Sequence, residues 1–252
     1  MASSSILEAG TVETSIADGI GTIQFGHPKS NSLPGALLSQ LAEAIRLAGE
    51  DRNIRVIVLR SQGTGPFCAG ASFDEFRTIQ NEEQGRHFFS GFAKVILAMI
   101  RAPKFVIVRV QGKTAGGGVG IIAAADYALG ISGASVKLSE IAVGIGPFVV
   151  APVIEKKIGL AAMAALAVEG DWRDATWAER HGLFAEVLGD QAALDPRVEE
   201  LARRFAGYNP EAVQRLKEVI WRGTEEWPAL LASRAGISGH LVLSEYTRNA
   251  IT

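Results

Sequence analysis

The run Phe105-Val-Ile-Val-Arg-Val110, followed at once by Gln111-Gly-Lys-Thr-Ala-Gly-Gly-Gly118, sets an architecture that the rest of the chain has to fit. Its first part is apolar, too short for a free-standing helix and typical of a strand covered on both faces. The glycines behind it mark a tight passage into a helix whose first amides have no partner of their own. Such a joint can present backbone donors to an anion.

Upstream, Arg55-Val-Ile-Val-Leu59 repeats the strand pattern, and Tyr127 to Ile131 is a weaker version downstream. Helical segments, roughly Gln84 to Ile100 and Gly117 to Ala125, lie between them, so strands and helices alternate through the first 135 residues. That order predicts a parallel sheet with helical cover. Thr11 to Ile16 and Ile20 to Phe25 alternate around Asp18-Gly19, which reads as an opening hairpin on a sheet edge. Leu33, Leu37, Leu38, Leu41, Ile45 and Ala48 recur at helical spacing, with Ser32 as the expected cap and Pro34 in the first turn. From Phe148 onward the pattern is almost wholly helical, and Asn209-Pro210 opens a helix running to about Trp221. No linker, repeat or low-complexity tract intervenes, so the chain reads as one α/β domain with a helical C-terminal part.

At 252 residues and 48% hydrophobic content the chain can bury a large core. Lys and Arg number 25 against 27 acidic residues, so no strong field invites nucleic acid or an anionic membrane. An anionic ligand must be held locally. Met1 to Gly10 lacks a basic flank before an apolar run, and nowhere do 18 apolar residues stand uninterrupted, so the expectation is a cytoplasmic protein without a membrane partner. The single cysteine, Cys68, excludes an internal disulfide and a multi-cysteine metal site. The four histidines are scattered, so no metal is expected either.

Several motifs fail on inspection. Gln111-Gly112-Lys113-Thr114 resembles the end of a phosphate-binding loop, but the required earlier glycine is Ile107. Gly116-Gly117-Gly118 would need a third glycine at position 121, which is Ile, to make a dinucleotide fingerprint. Gly236-Ile237-Ser238-Gly239-His240 misses a nucleophile elbow, because its fifth residue is His and no strand precedes it.

Three segments survive, each at a strand end or a helix start, where an open α/β sheet builds its site. Phe67-Cys68-Ala69-Gly70-Ala71-Ser72-Phe73 has small residues that let a ligand reach main-chain amides. Gln111 to Gly118 is the second. The third, Lys137-Leu138-Ser139-Glu140 before Gly144-Ile145-Gly146-Pro147, sets one carboxylate among apolar residues, where desolvation can tune it as an acid or base.

Together with His27-Pro28-Lys29-Ser30-Asn31-Ser32-Leu33 and Ala125-Asp126, these segments resemble the crotonase, or enoyl-CoA hydratase/isomerase, superfamily from about residue 11 to residue 190. The resemblance implies a crotonase-like ββα spiral core over residues 1–190 and a helical C-terminal oligomerisation region over 191–252. It implies an acyl-CoA thioester substrate, with coenzyme A entering only as part of it and no separate cofactor, and a homotrimer or hexamer. It places the oxyanion hole at the backbone N–H groups of Ala71 and Gly117, the general acid/base at Glu140, and the coenzyme A contacts at Lys29, Ser30, Cys68 and Ala69. Enolate charge develops on the thioester oxygen, where one preorganised donor contributes roughly 3 kcal/mol of barrier lowering.

The chain also departs from that pattern. Hydratases of the family use two glutamates to hold one water, and the first falls at Gly120 here. A single carboxylate can shuttle a proton between two carbons of an enoyl thioester but positions a water less completely. Hydration, Δ3,Δ2 double-bond isomerisation and thioester decarboxylation therefore all stay open, beside a catalytically lapsed binding protein. The acidic residue that commonly follows Ala-Gly-Ala is Ser72, with Asp74 two places on, and the usual C-terminal signature is missing from Leu231 to Thr252. Lys137 and His87 have no assigned place. Simpler readings stand beside the sharp ones. Cys68 reads as a buried small hydrophobe, His181 as a helix-end residue, Arg197 to Arg204 as a solvated helix face, and the glycines at 116 to 118 also serve tight packing.

Overall fold

The computed structural model describes residues 10–251. The opening stretch read for a targeting signal lies outside the described residues up to position 9. Strands β1 (Thr11–Ala17) and β2 (Ile20–Gly26) form the expected antiparallel hairpin, and β1 is the edge of a six-stranded sheet. Strands β3 (Val56–Ser61) and β4 (Val106–Val110) follow in parallel, with one helix before β3 and two between β3 and β4. These helices are α1 (Gly35–Glu50), the short α2 (Phe73–Phe76) and α3 (Glu82–Arg101). The chain continues through β5 (Thr114–Ala115), α4 (Gly117–Ala123), β6 (Tyr127–Ile131), β7 (Ser135–Lys137) and a 3-10 turn over Glu140–Val143.

Alternation along the central strands explains the two cores. Ile57, Leu59, Val106 and Val108 face the side covered by α1 and α3, whereas Val56, Val58 and Ile107 face Leu194, Val198 and Leu201 of a later helix. A period of two on strands buried on both faces requires apolar residues at nearly every position, hence the continuous runs. Arg109, on the second face, pairs with Asp195 at 2.6 Å.

Beyond residue 150 come α5 (Ala151–Ile158), α6 (Leu160–Glu169), β8 (Arg173–Asp174), α7 (Ala175–Arg180), β9 (Glu186–Leu188), α8 (Gln191–Ala206), α9 (Pro210–Ile220), α10 (Trp227–Leu241) and α11 (Glu245–Ala250). The expectation of an almost wholly helical second part needs correcting here. β9 completes the main sheet beside β6, and β8 joins β5 and β7 in a small second sheet. Both strands are two or three residues long, too short to show a period. Asn209 caps α9 as expected, accepting from the amides of Glu211 and Ala212.

Ser32 does not cap α1. The helix begins after Pro34, the Gly35 amide donates to the Glu75 carboxylate at 2.7 Å, and the Ser32 hydroxyl sits 3.0 Å from His27 Nδ1. A carboxylate from α2 thus satisfies the end of α1. The C-terminal helices fold back onto the core. Gly85 of α3 and Gly239 of α10 cross so closely that a Cβ on the first would stand 2.6 Å from the Cα of the second. Asp126, at the entrance to β6, accepts from the Val106 amide, the Trp221 indole and Lys217 Nζ, which ties α9 to the sheet. No helix among the described residues is long and apolar enough to cross a membrane.

Candidate active site

The loop at 27–33 and the loop at 67–73 run side by side. The Ala69 amide donates to the Ser30 carbonyl at 3.1 Å, and Leu33 donates to the Gly70 carbonyl at 2.8 Å. Ser30 and Asn31 both take left-handed backbone, φ 54° and 55°, which is costly for serine and tolerated by asparagine. Asn31 holds this turn in place: its buried amide donates to the carbonyls of Gln62 (3.0 Å) and Pro66 (2.9 Å), and its oxygen accepts from the His27 amide. Sequence reasoning quoted Asn31 but assigned it no role. An asparagine between two small polar residues was the available signal for such a turn.

The 67–73 loop meets the glycine-rich joint directly. Ala115 donates to the Cys68 carbonyl at 2.9 Å, and a Cβ on Gly70 (φ +86°) would stand 2.9 Å from the Ala115 carbonyl oxygen. Only a glycine at 70 lets these two backbones touch. Gly116 donates to the Lys137 carbonyl, so β7 and the Glu140 turn are drawn to the same place. Among the described residues, the amides of Ala71 and Gly117 donate to no protein acceptor.

Glu140 closes the third side. Its Oε1 lies 3.1 Å from where a Cβ on Gly116 would be, so the carboxylate covers the glycine next to Gly117. The residue is partly exposed, but its Oε2 is shut off from solvent and has no hydrogen-bond partner. Burial pushes its carboxyl up to about 7, against a smaller opposing effect of its own backbone amide and that of Ser139. A carboxyl poised near neutrality can both take and return a proton.

These groups open on one cleft. Its lining includes Ala69 to Ala71, Gly116, Gly117, Ser139 and Glu140 together with Phe76, Phe89, Phe92, Ile145, Phe148, Val150 and Ser238. Ala71, Gly117 and Glu140 therefore come together, and so does Ala69. Lys29 is ion-paired with exposed Asp74, which lies below its usual pKa because of that lysine's hydrogen bond. Cys68 is fully buried, does not line the cleft, and its thiol is pushed up to about 12 by burial. Its side chain packs instead against the place a Cβ on Gly118 would take. Iodoacetamide at pH 8 should leave native Cys68 unmodified and alkylate it fully after denaturation; rapid native alkylation, followed by mass spectrometry, would refute the buried placement.

His87 lies in a separate exposed groove, and Lys137 Nζ sits 5.9 Å from the Trp172 ring centroid. Ser72 caps α2 through the Glu75 amide. His181 ends α7 against Trp177, with ring centroids 4.5 Å apart.

Comparison with known proteins shows the family. The family model described as enoyl-CoA hydratase/isomerase matches residues 15–240. The mitochondrial methylglutaconyl-CoA hydratase of Rattus norvegicus is 32% identical over 204 residues, 77% of this chain, and the match spans 63% of that relative, a little under two thirds of its length. Carnitinyl-CoA dehydratase of Citrobacter koseri is 28% identical, covering 82% of this chain and 78% of the relative. The crystal structure of an enoyl-CoA hydratase from Bacillus halodurans superposes with a TM-score of 0.88 over 95% of this chain and 98% of that one, at 21% identity. That of Mycobacterium smegmatis gives 0.80 over 88% of each chain at 27% identity.

Proposed function

Because the chain belongs to the enoyl-CoA hydratase/isomerase family, we propose that it binds an acyl-CoA thioester, polarises its carbonyl between the Ala71 and Gly117 amides, and moves a proton with Glu140. One observation carries the reading: among the described residues, two unpartnered amides and a carboxylate whose buried Oε2 has no partner line the same cleft. As Glu140 takes a proton from the carbon beside the carbonyl, negative charge passes to the thioester oxygen, where fixed N–H donors meet it without reorganisation. The same carboxyl then returns the proton. Coenzyme A is the substrate's own carrier, and the paired loops at Lys29-Ser30 and Cys68-Ala69 are where its thioester end enters, chiefly through the backbone. The names of these two relatives share coenzyme A and differ in the acyl group.

The missing first carboxylate favours proton transfer over water addition. A Cβ on Gly120 would stand 2.5 Å from Val150 Cγ1 and 3.4 Å from Ile96, so the space a second glutamate would need is filled by apolar side chains. We therefore place double-bond migration ahead of hydration. Crotonyl-CoA and 3-hexenoyl-CoA, followed separately for hydration and for migration, test this directly. Migration should exceed hydration; faster hydration would reverse the order, and no turnover with no thermal shift by any thioester would end the enzyme reading. Gly120→Glu alone should not create hydratase activity and should lower the melting temperature, because overpacking of this kind costs roughly 1–3 kcal/mol. Hydration gained in a normally stable Gly120→Glu protein would refute the steric account.

A homotrimer or hexamer is proposed on the same family basis. Its support here is α6, which leaves Leu160 and Val168 exposed at 63% and 79%. A monomer in sedimentation equilibrium would exclude it.

A further inference from the structure

The aromatic lining of the cleft carries information about the acyl group. Phe76 and Phe89 meet edge to face at 5.7 Å, and with Phe92, Phe148 and Val150 they make most of the cleft apolar, Ser139 and Ser238 being the neutral polar side chains among its described lining residues. Among the described residues, Glu140 is the only ionisable side chain lining the cleft. A second carboxylate on the acyl chain would lose its water among aromatic rings, would find no cation, and would share the cavity with Glu140. A cation close to this lining is Arg234, one helical turn from Ser238 on α10 and in contact with Phe148. It is half-buried, lies outside the lining, and donates to the Phe148 carbonyl at a long 3.5 Å.

We infer that the acyl group is uncharged and apolar beyond its thioester, and that this aromatic wall excludes thioesters of dicarboxylic acids. The inference rests on the thioester reading above. It is tested on the full chain with crotonyl-CoA and 3-hexenoyl-CoA against glutaconyl-CoA for turnover, and with butyryl-CoA against glutaryl-CoA for binding. The uncharged members should be favoured by at least about 10²-fold in kcat/KM and bind more tightly, since an unpaired buried charge is heavily disfavoured. Arg234→Ala should leave that ratio unchanged. Glutaconyl-CoA turned over within tenfold of crotonyl-CoA, or glutaryl-CoA bound as tightly as butyryl-CoA, would overturn the inference while leaving the thioester reading intact. Dicarboxylate turnover that disappears in Arg234→Ala would overturn it in favour of Arg234 as a carboxylate reader. If no thioester binds or reacts, both readings fall together.

Discussion

Glu140→Gln is expected to lower turnover by about 10²- to 10⁴-fold while making the protein relatively more stable as the pH rises. The two effects share one cause, the burial of a carboxyl whose Oε2 has no partner. Burial pushes this group up to about 7 in the folded chain, from its ordinary value of 4.5. Between those two pH values the folded state therefore binds more protons than the unfolded one, so the group's contribution to stability falls as the pH rises through that window. The loss is complete above about pH 7 and amounts to about 3 kcal/mol. A glutamine does not titrate. The difference in unfolding free energy, variant minus wild type, should therefore grow by up to that amount between pH 5 and pH 8.5 in urea titrations. The wild-type kcat/KM should also rise to a plateau with an apparent pKa near neutrality, because the proton-accepting form is the ionised one. Unchanged turnover in the variant would remove Glu140 from the chemistry, and a flat stability difference would mean that its carboxyl is solvated.

The second large effect is expected at Gly117. An alanine there keeps the amide donor, so a loss cannot be ascribed to a missing hydrogen. Its Cβ would stand 2.1 Å from Cε1 of Phe92, a ring that is itself buried, and either the ring or the start of α4 must move. A donor displaced by about 1 Å from a developing oxyanion costs on the order of 10²-fold in rate. Gly117→Ala should accordingly lose at least about 10²-fold in kcat and roughly 1–3 kcal/mol of stability. Adding Phe92→Leu should restore most of the stability and part of the rate. Gly236→Ala on α10, where a Cβ meets nothing within 4 Å, is the matched control and should be nearly neutral. A fully active, stable Gly117→Ala protein would show that this amide does not bind the oxyanion.

Much of this was legible in the chain. The apolar runs at 55–59 and 105–110 announce buried parallel strands, since covering both faces leaves few places for polar residues. The Asp18-Gly19 turn gives the edge hairpin, and Asn209-Pro210 gives a helix start. What escaped was either very short or satisfied from a distance. The three residues of β9 have no measurable period. The cap of α1 comes from Glu75, forty positions from the amide it meets, so no local pattern points to it. The role of Asn31 is equally non-local, because the two carbonyls that its amide holds lie more than thirty positions away.

The candidate site divides in the same way. Backbone freedom at Gly70 and Gly116, and the presence of a single carboxylate at Glu140, are properties of residue type and order, and those are written in the sequence. That Gly120 is a filled position rather than an empty one depends on Val150 and Ile96 packing over it. The upward shift of Glu140 likewise depends on which apolar groups exclude water from Oε2. Residue type and spacing govern which local conformations and chemistries are available. Desolvation and steric exclusion arise from atoms brought together by the fold, and only the tertiary structure settles them.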